Sequence, residues 1–348
     1  MTALNKMEST GRCSSSGICI IEALLFTTLP FLAGCSRVEI VEETSKGEYY
    51  TGTPVIEWAD IPSGEYDMRV YQPKRTDETG IVGQSIERTV TIDAFRMSAT
   101  EITNRQYCMF LNEALKKGEN IKVEFKEKQE MIATGSIREV TGGGTLIVLK
   151  SRVPGYRNEF NGSGIMFSGG IFRVVPGQEE HPVVNVTPYG AEAFAEFHGW
   201  TLPTEAQWEY AARGGNTHTF GTAGGNIDGG LANYDNNNGH TLPIKSYAPN
   251  GYGLYDMCGN AAEWCIGQLR YRGVTNTSIG IGRYSHPKGG SWLSYEDACR
   301  IRSNEIHDRY FKYPYSKNEK APYLIDTPLG IHIRNNHGFR VVTRVVNR

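Results

Sequence analysis

The chain of 348 residues has no excess of charge of either sign, since 36 Lys and Arg face 38 Asp and Glu, giving a formal net charge of -2. Proteins that bind nucleic acid through its phosphates usually present a basic surface, so we expect no nucleic-acid partner. Its 8 histidines show no pairing at the spacing of a helical metal site. Glycine, by contrast, is abundant at 40 residues, and 11% of residues are aromatic, which indicates a loop-rich globular fold with aromatic packing.

The chain also lacks an apolar run long enough to span a membrane. Its most apolar stretch, residues 18–32, follows a basic start and is too short for a transmembrane helix. Small residues then precede Cys35, as they do ahead of the lipid-modified cysteine of bacterial lipoproteins. We therefore predict a lipoprotein signal peptide over residues 1–34 and acylation of Cys35, which would attach the protein to a membrane surface. An ordinary signal peptide with an incidental Cys35 is the alternative.

Seven cysteines are present, and the predicted processing leaves four of them in the folded part of the chain: Cys108, Cys258, Cys265 and Cys299. In an oxidising compartment these four can form disulfides, in three full pairings that the sequence does not distinguish. Buried free thiols, which behave as small hydrophobic side chains, are the alternative, and we favour it.

Composition divides the remaining chain into a tether and one large domain. The acylated Cys35 and the polar, acidic residues after it predict a linker over residues 35–53, and the folded domain is expected over residues 54–348. A Pro-Ser-Gly turn at residues 62–64 predicts an opening hairpin. Residues 119–180 are strand-like and rich in glycine, and we interpret them as an insertion that decorates one side of the domain.

Three helices carry local start signals, each beginning at a threonine: Thr103, Thr187 and Thr204. A glutamine three residues after the first and the last of these threonines completes a capping box. Proline follows the second threonine directly and suits the first position of a helix. These signals predict helix starts independently of any tertiary contact.

A series of short blocks from about residue 54 onward resembles the formylglycine-generating enzymes, the sulfatase-modifying-factor family, in their order along the chain. The blocks are residues 101–104, 181–183, 202–214, 249–257, 259–264, 289–292 and 338–340. The resemblance implies an α+β fold of the formylglycine-generating-enzyme type, similar to a C-type lectin domain. Such a fold has little regular secondary structure and many ordered loops.

Residues 288–302 resemble the segment in which these enzymes carry two cysteines that bind copper and meet the substrate thiol. Cys299 stands at the second cysteine position, but Ser294 stands at the first. Ser291 and Arg300 match the family pattern, so the resemblance implies a degenerate catalytic site of Cys299, Ser294, Ser291 and Arg300. A serine hydroxyl cannot replace a thiolate as a soft ligand for Cu(I), so we expect no copper.

Two further substitutions bear on the same site. Ala262 replaces a tryptophan that lines the active site of the enzymes, and Ala298 replaces an aromatic residue just before the second cysteine. Three losses around one site argue against the oxidation of cysteine more strongly than any one of them. Cys265 directly follows the block of residues 259–264 and is an alternative to Ser294 as the second copper ligand.

Calcium supports the loops of this family, and the resemblance places two structural calcium sites in the chain. The first maps onto Asn233, the carbonyl of Tyr234, Asn236 and Asn238. The second maps onto Asp256, Gly259, Ala261 and Glu263, with the glycine and the alanine contributing carbonyl oxygens. Carboxylate, amide and carbonyl oxygens are the ligands that Ca²⁺ takes in proteins. A solvated turn and an ordinary surface acid are the alternatives.

Together these expectations favour a membrane-anchored, non-catalytic protein that is a structural or binding component of a cell-envelope assembly. The resemblance extends to lipoproteins of the gliding and type IX secretion machinery, so the expected partners are cell-envelope proteins, on the outer membrane or its periplasmic face. The alternative is a copper-dependent oxidase that converts a protein cysteine to formylglycine with altered metal ligation. A calcium-dependent glycan-binding protein is a third possibility.

Overall fold

A computed structural model describes residues 47–77, 80–126, 130–136, 144–150, 163–267, 287–303, 325–326, 332–333 and 336–344. Contacts along the chain separate two units, 1–44 and 45–348, and every described residue belongs to the second unit. The predicted signal peptide and Cys35 lie outside the described residues. Within the described residues, no helix combines the length and the apolar character that a membrane crossing requires.

The described part of the chain contains fourteen strands and three α-helices. Strands β1 (Trp58–Ile61), β2 (Gly64–Asp77), β3 (Gly80–Ile92) and β4 (Phe95–Ser98) precede helix α1 (Asn104–Lys116). There follow β5 (Asn120–Lys126), β6 (Glu130–Ser136), β7 (Gly144–Lys150), β8 (Ile165–Ser168), β9 (Ile171–Val174) and the helices α2 (Pro188–Phe197) and α3 (Glu205–Ala212). The last elements are β10 (Ala262–Glu263), a 3-10 turn (Glu296–Cys299), β11 (Ile325–Asp326), β12 (His332–Ile333), β13 (His337–Gly338) and β14 (Val342–Arg344). Long irregular stretches separate them, which confirms the expected loop-rich α+β class.

The strands form several small sheets instead of one large one. The sheet β1-β4-β14 is antiparallel and joins the start of the domain to its end. The strands β2 and β3 form a long hairpin, β5-β6-β7 form a meander, and β8 pairs with β9. The predicted opening hairpin at residues 62–64 is wrong, because β1 pairs with β4 and not with β2. Ile61 and Phe95 are buried opposite each other in one apolar cluster, and this burial decides the pairing.

The three predicted helix starts are confirmed. In α1 the Thr103 hydroxyl accepts a hydrogen bond from the Gln106 N–H at 3.2 Å, and Gln106 Oε1 accepts one from the Thr103 N–H at 2.9 Å. The same reciprocal pair links Thr204 and Gln207 in α3, at 3.1 Å and 3.0 Å. Thr187 caps α2 by accepting a backbone N–H at 2.8 Å. Each cap stabilises its helix by about 1 kcal/mol.

The segment predicted as a decorating insertion, residues 119–180, contributes to the largest apolar core instead. Leu146 and Ile147 in β7 are fully buried in the same cluster as α1 and α2. Gly190 in α2 lies so near β7 that an added Cβ would stand 2.0 Å from the Leu146 carbonyl oxygen. This close helix-to-strand packing means that β7 is part of the core and not a surface addition to the domain.

The end of the predicted linker also packs against the domain. Glu48 forms a backbone bridge with Val174, and its carbonyl accepts the Val174 N–H at 3.0 Å. The Tyr50 carbonyl accepts a hydrogen bond from Asn112 Nδ2 at 2.9 Å. Residues 47–50 are therefore part of the folded structure, because these backbone groups are satisfied by the domain and not by solvent.

Three irregular segments lie side by side and position the candidate site; they are residues 254–264, 287–303 and 336–340. The Gly259 N–H donates to the Gly289 carbonyl at 2.9 Å. Glu263 and Lys288 exchange backbone hydrogen bonds in both directions, each at 2.9 Å. Parallel pairing of β10 with β13 brings the third segment alongside. The blocks that carry the family resemblance thus meet in space.

Candidate functional site

Ser294, at the first cysteine position, lies in a closed network of neutral polar groups. Its Oγ accepts the Ser291 N–H at 3.0 Å and lies 3.0 Å from Ser291 Oγ. Asn336 Nδ2 donates to Ser291 Oγ at 2.7 Å. Ser291 is fully buried and Ser294 is 5% exposed. The described members of this network include no base, so the network holds the hydroxyls in place without activating either one as a nucleophile.

Cys299 lies in a different group, beside a thiol that the sequence analysis did not connect with it. It ends the 3-10 turn, fully buried, in an apolar cluster with Phe220, Ala232 and Cys258. The Cys258 thiol donates to the Cys299 carbonyl oxygen at 3.7 Å, and no disulfide joins the two sulfurs in the structure. Gly290 makes room for this arrangement, since a Cβ there would stand 2.6 Å from Cys299 Sγ.

Both thiols of this pair are surrounded by apolar groups. The hydrogen bond with Cys299, together with burial, raises the pKa of Cys258 well above its ordinary value. Cys258 is therefore a neutral thiol at physiological pH. No local spacing links residues 258 and 299, so only the tertiary structure reveals the pair.

Arg300 does not join either group. Its guanidinium is exposed, donates to Asp297 Oδ1 at 2.9 Å and lies over the Phe220 ring at 5.3 Å. The four residues of the predicted degenerate site thus divide into a buried serine network, a buried thiol pair and a surface cation. The structure does not present them as one catalytic constellation.

The first predicted calcium site is an amide network. Asn233 is fully buried, and its Nδ2 donates to Asn260 Oδ1 at 3.2 Å, while its Oδ1 accepts from Asn238 Nδ2 at 3.0 Å. The Tyr234 carbonyl accepts a backbone N–H at 3.1 Å, and Asn236 has left-handed backbone with φ 57°. Two of the four predicted donors, Asn233 Oδ1 and the Tyr234 carbonyl, thus already accept hydrogen bonds from neighbouring amides, so the predicted set fits a calcium ion poorly.

The second predicted site contains a buried ion pair. Glu263 is 1% exposed and Arg340 is fully buried. Arg340 donates to Glu263 Oε2 at 2.6 Å and to Oε1 at 2.7 Å, and Trp208 Nε1 donates to Oε2 at 2.7 Å. This two-pronged pair satisfies the carboxylate with a guanidinium and an indole N–H. Sequence reasoning assigned Glu263 to calcium and missed its partner.

Two further carboxyl groups lie near this pair. Glu101 is fully buried; its Oε1 accepts from Asn260 Nδ2 at 3.2 Å, and its Oε2 has no hydrogen-bond partner among the described residues. Burial and the charges of Asp256 and Glu263 raise the pKa of Glu101 well above its ordinary value. Asp256 Oδ2 accepts the Lys245 N–H at 3.0 Å, and burial raises the pKa of Asp256 to about 6.

The carboxyl groups of this cluster fit a cation only in part. Within the described residues, no group of three or more His, Cys, Asp and Glu side chains is arranged to hold a metal ion. Because its pKa is raised, the buried Glu101 carboxyl is neutral and adds no charge that a cation would balance. Glu263 does not fit as a calcium ligand, since its oxygens take three hydrogen bonds. Asp256 and the carbonyl oxygens of Gly259 and Ala261, in the same segment, are donors of the kind that Ca²⁺ takes.

Comparison with known proteins places the chain in a family. Residues 51–320 match the family model of the sulfatase-modifying factor enzyme 1-like domain. The chain is 27% identical over 272 residues to the formylglycine-generating enzyme of Bos taurus, covering 71% of this chain and 68% of that protein. It is 39% identical over 145 residues to the formylglycine-generating enzyme of Streptomyces coelicolor, covering 36% of this chain and 46% of that protein.

Another relative carries a different name. The chain is 39% identical over 146 residues to the serine/threonine-protein kinase pkn1 of Chlamydia caviae, covering 40% of this chain and 23% of that protein. The chain thus spans about a quarter of the length of this relative and of the similar kinases from two other Chlamydia species.

Solved structures that superpose on this chain include CarF, at 19% identity and a TM-score of 0.47, covering 84% of this chain and 99% of that chain. PvdO from Pseudomonas aeruginosa is similar at 15% identity and a TM-score of 0.46, covering 83% of this chain and 94% of that chain. Scores this low do not identify a fold by themselves. The family model, however, matches residues 51–320, most of the chain, and includes two of the three segments that meet at the site, residues 254–264 and 287–303. The chain therefore belongs to the sulfatase-modifying-factor family.

Proposed function

We propose that the protein is a non-catalytic member of its family that acts as a structural or binding component of a cell-envelope assembly. The observation that carries this proposal is the state of Ser294, whose hydroxyl occupies the first cysteine position and hydrogen-bonds with Ser291. A copper centre that activates oxygen needs two soft ligands that converge on the metal. Ser294 offers a hard, neutral oxygen inside a hydrogen-bond network, while Cys299 is fully buried in an apolar cluster with Cys258.

The proposed location is a membrane surface in the cell envelope, reached through a lipid on Cys35. This part of the proposal is supported by the small-residue pattern before Cys35. Since Glu48 already pairs with Val174, the tether from Cys35 to the domain spans at most roughly 45 Å when fully extended. A tether this short would hold the domain close to the membrane, where its partners would be envelope proteins.

We also propose one structural calcium ion, bound by Asp256 and the carbonyl oxygens of Gly259 and Ala261. The support is the surplus of buried carboxyl groups around Asp256, whose pKa is raised to about 6 by burial. A cation there would offset the cost of ionising these groups. Glu263 is left out of this ligand set, because Arg340 occupies its oxygens.

An aldehyde assay tests the central proposal. The full chain, loaded with Cu(I) and supplied with oxygen, is incubated with a Cys-x-Pro-x-Arg peptide, and formylglycine is measured by mass spectrometry. We expect no aldehyde, while the Streptomyces coelicolor enzyme serves as the positive control. Conversion with turnover by the wild-type chain, abolished in Cys299→Ala, would overturn the proposal.

Cell fractionation tests the location and the partners. Labelled fatty acid should enter the wild-type chain and not the Cys35→Ala variant, which should leave the membrane fraction. Crosslinking in intact cells followed by purification should then recover envelope proteins with the wild-type chain and far fewer with the variant. Equal membrane association of both proteins would refute the lipid anchor.

A further inference from the structure

We propose that Cys258 and Cys299 form a disulfide bond, which joins the segment of residues 254–264 to the segment of residues 287–303. The inference is separate from the proposed function, because the chain can lack oxidase activity whether these sulfurs are bonded or free.

The first argument is proximity. Of the four cysteines in the described part of the chain, two share one apolar cluster, and these are Cys258 and Cys299. No disulfide joins these two sulfurs in the structure, but the Cys258 thiol donates to the Cys299 carbonyl oxygen at 3.7 Å. The segments that carry them are held in register by the hydrogen bond from the Gly259 N–H to the Gly289 carbonyl. These two segments run side by side, and neighbouring backbones are the arrangement that a disulfide requires.

The second argument is the medium around the sulfurs. Cys258 is 3% exposed, Cys299 is fully buried, and Phe220 and Ala232 pack against them. A metal held by two thiolates would place net negative charge in this apolar cluster. The nearby Arg300 guanidinium does not offset that charge, because it forms ion pairs with the surface carboxylates of Glu296 and Asp297. A disulfide is neutral and apolar, so this cluster accommodates it as it accommodates two neutral thiols, whereas burial disfavours a thiolate pair.

The other two cysteines lie in different surroundings. Cys108 is buried in the core around α1, where it accepts a hydrogen bond from Asn112 Nδ2 at 3.6 Å and burial raises its pKa to about 12. The Cys265 thiol donates to the Glu263 carbonyl at 3.6 Å within a second cluster. The proposal therefore assigns one disulfide, Cys258–Cys299, and places Cys108 and Cys265 outside any disulfide.

The bond forms by exchange with a small-molecule disulfide such as oxidised glutathione. One cysteine, as its thiolate, attacks the small disulfide, which releases one small thiol and leaves a mixed disulfide on the protein. The second cysteine then loses its proton, attacks the protein sulfur and releases the second small thiol. The protein gives up two protons and two electrons, and the small disulfide takes up both. Because both sulfurs are buried, exchange requires local opening and should be faster during folding than in the native state.

Peptide mapping tests this inference on the full wild-type chain. The protein is refolded with oxidised glutathione, alkylated in acid and digested without reductant. We expect one crosslinked peptide that contains both Cys258 and Cys299, two hydrogens lighter than the separate peptides, and its loss after reduction. Cys108 and Cys265 should carry the alkyl group. Recovery of Cys258 and Cys299 as alkylated thiols would overturn the proposal, and this readout needs no variant to fold.

Unfolding in urea supplies a second readout. The bond closes a loop of roughly 40 residues, so oxidation should lower the unfolding equilibrium constant on the order of several hundredfold. Cys258→Ser should abolish this difference between oxidised and reduced protein, and Cys108→Ser is the matched buried control that should keep it.

A Cu(I) titration separates the disulfide from a metal site. Suppose that protein refolded with oxidised glutathione binds Cu(I) stoichiometrically and that Cys258→Ser loses this binding. The two cysteines would then form a metal site and not a disulfide, and the proposal would be refuted. The aldehyde assay is independent of these readouts, so the disulfide and the proposed function can fail separately.

Discussion

Replacing Glu263 by glutamine tests whether the buried ion pair with Arg340 holds the domain together. The side chain keeps its size, but the charge that faces the fully buried guanidinium is removed. Arg340 also donates to the Ser98 carbonyl at 3.1 Å and the Tyr255 carbonyl at 2.9 Å, so it links three segments that are distant in sequence. Breaking a buried pair by removing one partner costs about 3–5 kcal/mol. Because glutamine retains one acceptor, we expect about 3 kcal/mol from Glu263→Gln.

Urea denaturation measures this loss as a shift of the transition midpoint at constant slope. Glu57→Gln is the matched control, since Glu57 forms an exposed pair with Lys245, and we expect it to cost less than about 1 kcal/mol. The double variant Glu263→Gln with Arg340→Gln should lose less than the sum of the single variants, with a coupling of about 1–3 kcal/mol.

Two outcomes would refute this reasoning about Glu263. The first is a loss below about 1 kcal/mol, which would mean that the ion pair contributes no more than a surface pair. The second is a loss that appears only with calcium and disappears with chelator. In that case Glu263 would act through a cation and not through Arg340.

Three other predictions concern pH and packing. Since burial raises the pKa of Asp256 to about 6, the protonated form is favoured in the folded state. With chelator present, stability should be complete below about pH 4 and fall by about 3 kcal/mol as pH rises through 6. Asp256→Asn should remove this slope, and calcium should offset it. Burial, and secondarily the Lys117 charge, lowers the pKa of His198 to about 4, so stability should be complete above pH 6.5 and fall as pH drops towards 4. Urea midpoints measured from pH 4 to 7 should show this slope in the wild-type chain and a flatter one in His198→Phe. An unchanged slope in the variant would contradict the prediction. Gly190→Ala should cost about 3 kcal/mol or prevent folding, because its Cβ would meet the backbone of β7, whereas Gly224→Ala, where the space is open, should be nearly neutral in the same denaturation assay.

Features set by a few neighbouring residues were predictable from the sequence. The capping boxes of α1 and α3 are confirmed because each joins residues three positions apart, such as Thr103 and Gln106. The hairpin at residues 62–64 was wrong for the complementary reason. Its turn signals a change of direction, but the burial of Ile61 opposite Phe95 decides which strand becomes the partner.

The candidate site was only partly predictable, because its contacts join residues far apart in the chain. Matched blocks correctly located Ser291 and Ser294 in one segment, but the sequence contained no signal that Cys258 would meet Cys299. The matched block around Glu263 predicted a calcium ligand. The sequence did not reveal its ion-pair partner, because Arg340 lies 77 residues further along the chain. The calcium and lipid assignments remain predictions.

The pairing of β14 with β4 has a consequence for biogenesis. Strand β4 precedes α1, whereas Arg340 lies 242 residues after Ser98 of β4, so Arg340 and β14 leave the ribosome much later than β4. Until they arrive, the middle strand of this sheet lacks one neighbour, and the Glu263 carboxylate has no counter-charge to accompany it into the interior. Nascent or truncated chains that stop short of residue 340 should therefore stay open and sensitive to proteases.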